Sequence, residues 1–195
     1  MNSTILDQLI HEVRSPLSLV LIKAEAEEDQ TLERHAMRME CLLRYAAAAA
    51  TDTIQAAVLP LRENVLAAVD ALSHSWTEVE ADVSGIDEYT RAVLPEDDDL
   101  RVTFLAAWLE TALYGTATTS LTVEGATCGP VVLLEARGPG RTSRGLANVR
   151  ARLCTRAAAE IARILGGRLI VSASLPQATL ALPKVAGMAQ SRSAA

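Results

Sequence analysis

His11-Glu12-Val13-Arg14-Ser15-Pro16-Leu17 sets an imidazole, a carboxylate and a hydroxyl within about one helical turn of each other. That combination can hold a phosphoryl group on nitrogen. The imidazole of His11 is the nucleophile. Glu12 beside it can orient the ring and accept its other proton, which raises the nucleophilicity of the attacking nitrogen. Ser15, four residues after His11, can position a water or a phosphoryl oxygen.

Such a set works only if the helix turns it toward solvent. Leu6, Ile10, Val13, Leu17, Val20 and Ala24 recur at three- and four-residue steps, which marks the buried stripe of an amphipathic helix. At about 100° per residue, His11, Ser15 and Ser18 fall on the far side of that stripe. A core histidine would lie on it. Leu19 and Ile22 also point away from the stripe, on the same general side as His11. Two readings of this pair stand side by side: dimer-core residues of a bundle that buries more than one face, or the landing site of a partner domain.

The seven residues resemble the H-box of two-component histidine kinases and phosphotransferases, H-E-x-R-[ST]-P-L, at every fixed position. Pro16 would cost about 3 kcal/mol inside an ordinary helix, but the family has a proline there. The resemblance implies that His11 is the phosphoacceptor, with Glu12 and Ser15 as its catalytic neighbours. It also implies that Arg14, Ser18, Leu19 and Ile22 meet a response-regulator receiver domain.

The polar turn Glu27-Glu28-Asp29-Gln30 separates this helix from a second, whose stripe runs Leu32, Ala36, Met39, Leu43, Ala46, Ala50 and Ile54. A hairpin of about 55 residues has too little surface to bury alone. Pairing two hairpins as a four-helix bundle solves that, so a homodimer is expected through residues 1–57.

From Leu59 the pattern changes. An amphipathic helix at Leu61–Val69 precedes strand candidates at Trp76–Val83 and Tyr89–Leu94, then an apolar helix at Leu100–Tyr114. Paired strands are expected at Ser120–Glu124 and Val131–Glu135 with Gly125–Pro130 between them. An Arg/Ala-rich helix ends at Gly166-Gly167, a C-cap, and Leu169–Ala173 with Thr179–Leu182 close as a hairpin. This order resembles the ATP-binding domain of histidine kinases, an α/β sandwich. Its echoes are LRENVLAAV, the entry at Asp97–Arg101, GPG, RGLANVR and LGGRLIVSAS…ATLALPK. With the hairpin, the resemblance spans residues 1–185. The expected class is therefore α+β: hairpin at 1–57, degenerate ATPase-like domain at 58–185, and a flexible tail at 186–195.

The family's nucleotide site departs from its pattern in three places. The helix that should carry the magnesium-binding asparagine has Thr111 there, and Ala107 where an earlier asparagine belongs. The aspartate that accepts the adenine amino proton is Ala136, followed by Gly138 and Gly140, and a methyl accepts no hydrogen bond. Only Arg141–Arg144 separate that loop from Gly145, so the phosphate-binding lid is short and its glycines incomplete. One alternative is a noncanonical site in which the arginines grip phosphates; separately, Gly138 and Gly140 can serve only as a tight turn and Gly145 only as a helix start.

An intact phosphoacceptor motif beside an eroded nucleotide site implies a phosphorelay histidine phosphotransferase. It would move phosphoryl groups between receiver aspartates, bind no cofactor, and use Mg²⁺ supplied by the partner's acidic pocket. An active soluble histidine kinase, or a pseudokinase that only binds a response regulator, are the rivals.

Composition bounds the rest. Cys41, Cys128 and Cys154 lack metal-ligand spacing, which suits a reducing cytoplasm and no metal site. No apolar run reaches about 18 residues, so no membrane span is expected. Residues 1–100 hold 7 Lys+Arg against 20 Asp+Glu, and residues 101–195 hold 11 against 4. Eight arginines lie from Arg137 to Arg168, but no helix-turn-helix or aromatic interleaving accompanies them. Complementarity within the chain, or an acidic partner, is expected rather than nucleic acid.

Overall fold

Apolar runs of two periodicities, strand-like and helical, assemble here into a five-stranded mixed sheet, a separate two-stranded pair and the helices that pack with them. A computed structural model describes residues 17–20, 22–23, 26, 30–50, 53–75, 79–113, 120–138, 149–172 and 177–184. In chain order the elements are α1 (Gln30–Ala49), β1 (Ala56–Pro60), α2 (Leu61–Ser75), β2 (Glu80–Gly85) and β3 (Arg91–Pro95). There follow α3 (Asp98–Leu113), β4 (Ser120–Cys128), β5 (Val131–Arg137), α4 (Val149–Ile164), β6 (Arg168–Val171) and β7 (Gln177–Pro183). Residues 17–20, 22–23 and 26 are also helical.

The main sheet runs β2-β4-β5-β7-β6, with β2 parallel to β4 and every other pair antiparallel. β1 and β3 form a separate antiparallel pair. On the sheet's inner face Leu121, Val123, Val132, Leu134, Ala136, Ala178, Leu180 and Leu182 are buried at alternate positions, as period-two patterning requires. α3 packs on β7, β5 and β4 and is flanked by α2 and α4; α1 packs against α4, α3 and α2. Tyr45 and Ala48 of α1 thus join the same core as α3 and the strands.

Local chemistry sets the boundaries. Asp97 caps α3: its carboxylate accepts from the Leu100 amide at 2.7 Å, and its carbonyl from the Arg101 amide at 2.9 Å. Arg101 pins three elements together. Its Nε donates to Asn64 Oδ1 of α2 at 2.6 Å, Nη1 to the Pro95 and Glu96 carbonyls at 3.0 and 2.9 Å, and Nη2 to Asp98. α4 ends as expected at Gly166, whose φ of 77° suits the left-handed cap, with Gly167 N–H donating to the Ala162 carbonyl at 2.7 Å.

Several expectations shift. The second helical stripe is expected to run to Ile54 in a hairpin ending at residue 57, but α1 stops at Ala49 and an unexpected strand, Ala56–Pro60, pairs with β3. The short AAVLP run has too few residues to display a period, and its partner lies beyond α2. β4 continues through the expected Gly125–Pro130 loop to Cys128, so the turn is Gly129-Pro130. Gly129 there has φ 58°, as the first central position of a two-residue hairpin turn demands. Val20 and Met39, placed on buried stripes, are 37% and 50% exposed in the single chain. No helix among the described residues is long and apolar enough to cross a membrane.

Candidate functional site

Residues 11–16 of the N-terminal motif, with His11, Glu12, Arg14 and Ser15, lie outside the described residues. The helical residues that follow them are described. Leu17 is buried at 4% exposure, whereas Ser18 is exposed and Leu19 and Ile22 are 68% and 62% exposed. Of the two described stripe residues, Leu17 is buried and Val20 is 37% exposed, so the stripe and its opposite face separate at Leu17 but not at Val20.

The positions that the resemblance assigns to a nucleotide sit in a different environment. Every residue of α3 from Thr103 to Leu113 is buried, the condition of a helix enclosed on all sides. Thr111 is 3% exposed, and its hydroxyl donates to the Ala107 carbonyl at 2.8 Å within its own helix. The same oxygen lies 3.3 Å from Thr155 Oγ1 and 3.6 Å from Cys154 Sγ, both on α4. Ala136 is fully buried in β5, paired with Val123 and Ala178 on the two neighbouring strands. Trp108, one turn before Thr111, is fully buried and donates its indole N–H to the Ala178 carbonyl at 3.0 Å. Gly138 is half-buried just past β5, and Gly140 and Gly145 lie outside the described residues.

At the two positions that the resemblance assigns to adenine and magnesium, Ala136 and Thr111 offer little to either. An adenine needs an acceptor at the second position and a metal needs a free oxygen at the first. The chain offers a core methyl, and a hydroxyl already engaged in the seam between α3 and α4. Among the described residues no group of three or more His, Cys, Asp and Glu could hold a metal ion.

The sequence reading missed the polar pair at the heart of this region. Tyr45 of α1 donates its hydroxyl to Glu110 Oε2 of α3 at 2.6 Å, with both side chains almost fully buried. The partners are 65 residues apart, so no local pattern joins them; the only signal was a glutamate inside an apolar run. Glu110 also raises the Cys154 thiol. Burial is the larger cause, and together they push its pKa up to about 12 against hydrogen bonds from the Thr111 side chain and from the Thr155 side chain and backbone, which lower it. Separately, an open cleft of about 410 Å³ is lined by Val58, Asp87, Tyr89, Thr90, Arg91, Thr127 and Lys184, none of them a candidate from the sequence.

No family model matches the sequence, and no curated protein matches it. Solved structures do. ShkA, determined full-length in complex with AMPPNP, superposes with a TM-score of 0.56 at 15% identity, over 94% of this chain and 46% of that one. The chain thus spans about half the length of ShkA. The Acinetobacter baumannii histidine kinase AdeS gives a TM-score of 0.49 at 11% identity, covering 89% of this chain and 96% of that one. A histidine kinase from Burkholderia phymatum STM815 gives 0.44 at 11% identity, covering 93% and 91%. At these identities the likeness establishes the fold alone: an α+β, histidine-kinase-like arrangement with a mixed sheet, consistent with a kinase ATPase-like domain.

Proposed function

We propose that the chain is a phosphorelay histidine phosphotransferase. It accepts a phosphoryl group on His11 from a receiver-domain aspartate and returns it to another, without phosphorylating itself from ATP. One observation carries the second half of this reading: the positions where the fold would meet adenine and magnesium, Ala136 and Thr111, are both interior to the core. The intact motif at residues 11–17 carries the first half.

In this reading residues 1–57 form the transfer hairpin and residues 58–185 a scaffold. Two hairpins associate as a four-helix bundle in a cytoplasmic homodimer. Leu19 and Ile22 belong to the receiver side rather than the dimer core. Their exposure fits either role, but by helical angle they share the face of His11, and burying that face between protomers would bury the nucleophile too. Arg14 and Ser18 border the same surface. The receiver contributes the Mg²⁺, and its charge neutralises the moving phosphoryl group.

Incubation with phosphorylated receiver domains, followed by assay for acid-labile phosphate on this chain, tests the proposal. Label that appears on His11 supports it, and label that never leaves the receivers refutes it. The active-kinase reading is favoured by one fact, that ShkA was determined with AMPPNP. Titration calorimetry with Mg-ATP separates the two. We expect no measurable heat of binding, and a low-micromolar dissociation constant would favour the kinase.

A further inference from the structure

We propose that the solvent face of α4 is a docking surface for an acidic protein partner. Arg152, Arg156 and Arg163 are all exposed. At 100° per residue they fall within about 40° of one another, in a line about 16 Å long. Their direction is fixed by packing, because Cys154, Ala157, Ala158, Ile161 and Ala162 bury the opposite face of the helix in the core. Glu160 pairs with Arg163 at 3.0 Å and is the single acidic residue between 137 and 168, a stretch with eight arginines and no lysine.

Three features specify the occupant. The length of the line is too great for one small anion and suits carboxylates spread over a protein surface, such as those one helical turn apart opposite Arg152 and Arg156. Guanidinium groups alone, without ammonium groups, suit planar two-point contacts to carboxylates. The stretch 137–168 is net +7 in a chain of net −6, which leaves the remaining residues at −13. A long nucleic acid leaving the stripe would run against that acidic remainder. The stretch also holds no Phe, Trp or Tyr on which bases could stack. A compact protein with a local acidic patch meets the stripe alone. The proposal stands independently of whether His11 carries a phosphoryl group.

The test uses the full chain with three probes: poly-L-glutamate, a short DNA duplex and phosphatidylglycerol vesicles. The wild type should bind poly-L-glutamate, more weakly as salt rises, and bind it more tightly than either other probe. Arg152→Glu with Arg156→Glu should weaken that binding by about tenfold or more with an unchanged thermal melt. Arg152→Lys with Arg156→Lys keeps the charge but not the fork, and should fall between. Should the reversal variant fold poorly, Arg156→Ala removes one exposed charge and gives the same reading with a smaller loss. Undiminished binding by a folded reversal variant, absence of any poly-L-glutamate binding, or tighter binding of DNA or vesicles through these arginines would each overturn the proposal.

Discussion

α3 and the helical residues 17–20, 22–23 and 26 treat their polar faces in opposite ways. From Thr103 to Leu113 α3 has no outward face at all: its glutamate, its threonines and its tryptophan N–H are closed off by neighbours. The stretch after the motif hides Leu17 and turns Ser18, Leu19 and Ile22 outward. On the proposed function, the first region holds the positions assigned to a nucleotide and the second adjoins the proposed phosphoacceptor, His11. The contrast is between a helix whose polar groups are all spent on packing and a stretch that keeps polar and apolar side chains at the surface. A hydroxyl that donates to its own helix and touches α4 has its geometry set by folding.

The sharpest way to break the comparison is at the motif. His11→Gln retains size and polarity but has no nucleophilic nitrogen. It should abolish phosphoryl acceptance while circular dichroism and oligomeric state stay unchanged. Glu12→Ala should only slow transfer, by about 10²–10⁴-fold if the carboxylate provides general acid–base assistance. His35 and His74, which lack the motif context, should be replaceable without loss of transfer. Acceptance of phosphate by His11→Gln would end the assignment.

The enclosed region should answer with stability instead. Trp108→Ala opens a cavity between α3 and the sheet and removes the indole bond to the Ala178 carbonyl, at a cost of about 3–5 kcal/mol. Denaturant unfolding measures it. Phosphotransfer per folded molecule should hold, and a variant with normal stability but lost transfer would erase the distinction between the two regions. Tyr45→Phe is a smaller change of the same kind. It removes the hydroxyl that donates to the buried Glu110 carboxylate and should cost about 1–3 kcal/mol.

The two regions were also unequally legible in the sequence. The separation of Leu17 from Leu19 and Ile22 follows from angular position alone, and the Asp97 cap and the Gly166 cap follow from local residue types. The apolar character of α3 announced a buried helix. What surrounds it could not be read, because Tyr45 with Glu110, Thr111 with Thr155, and Trp108 with Ala178 are joined only by tertiary packing across 44 to 70 residues. β1 escaped for a related reason: a five-residue strand gains its hydrogen bonds from β3, across the whole of α2.

The smallest effect concerns Cys154, at the seam where Thr111 meets α4. Its thiol is pushed up from 9.0 to about 12, first by burial and then by Glu110. A raised folded-state pKa means that, between the two values, the unfolded chain has lost a proton the folded chain keeps. This contribution to stability is therefore fully present below pH 9 and declines as pH rises toward 12, at a slope approaching about 1.4 kcal/mol per pH unit for one proton. Other groups titrate in the same window, so the measurement is the difference in slope between wild type and Cys154→Ala, from denaturant midpoints above pH 9. The alanine variant should lose less stability per unit of pH. Glu110→Gln separates the two causes: because burial is the larger, the Cys154 thiol should remain raised and only part of the slope should disappear. Native Cys154 should likewise resist alkylation at neutral pH, while Cys128, exposed at the tip of the β4–β5 hairpin, reacts. Equal labelling of both thiols in the folded protein would mean that the α3–α4 seam opens readily. It would then no longer be the sealed counterpart of the exposed helix face.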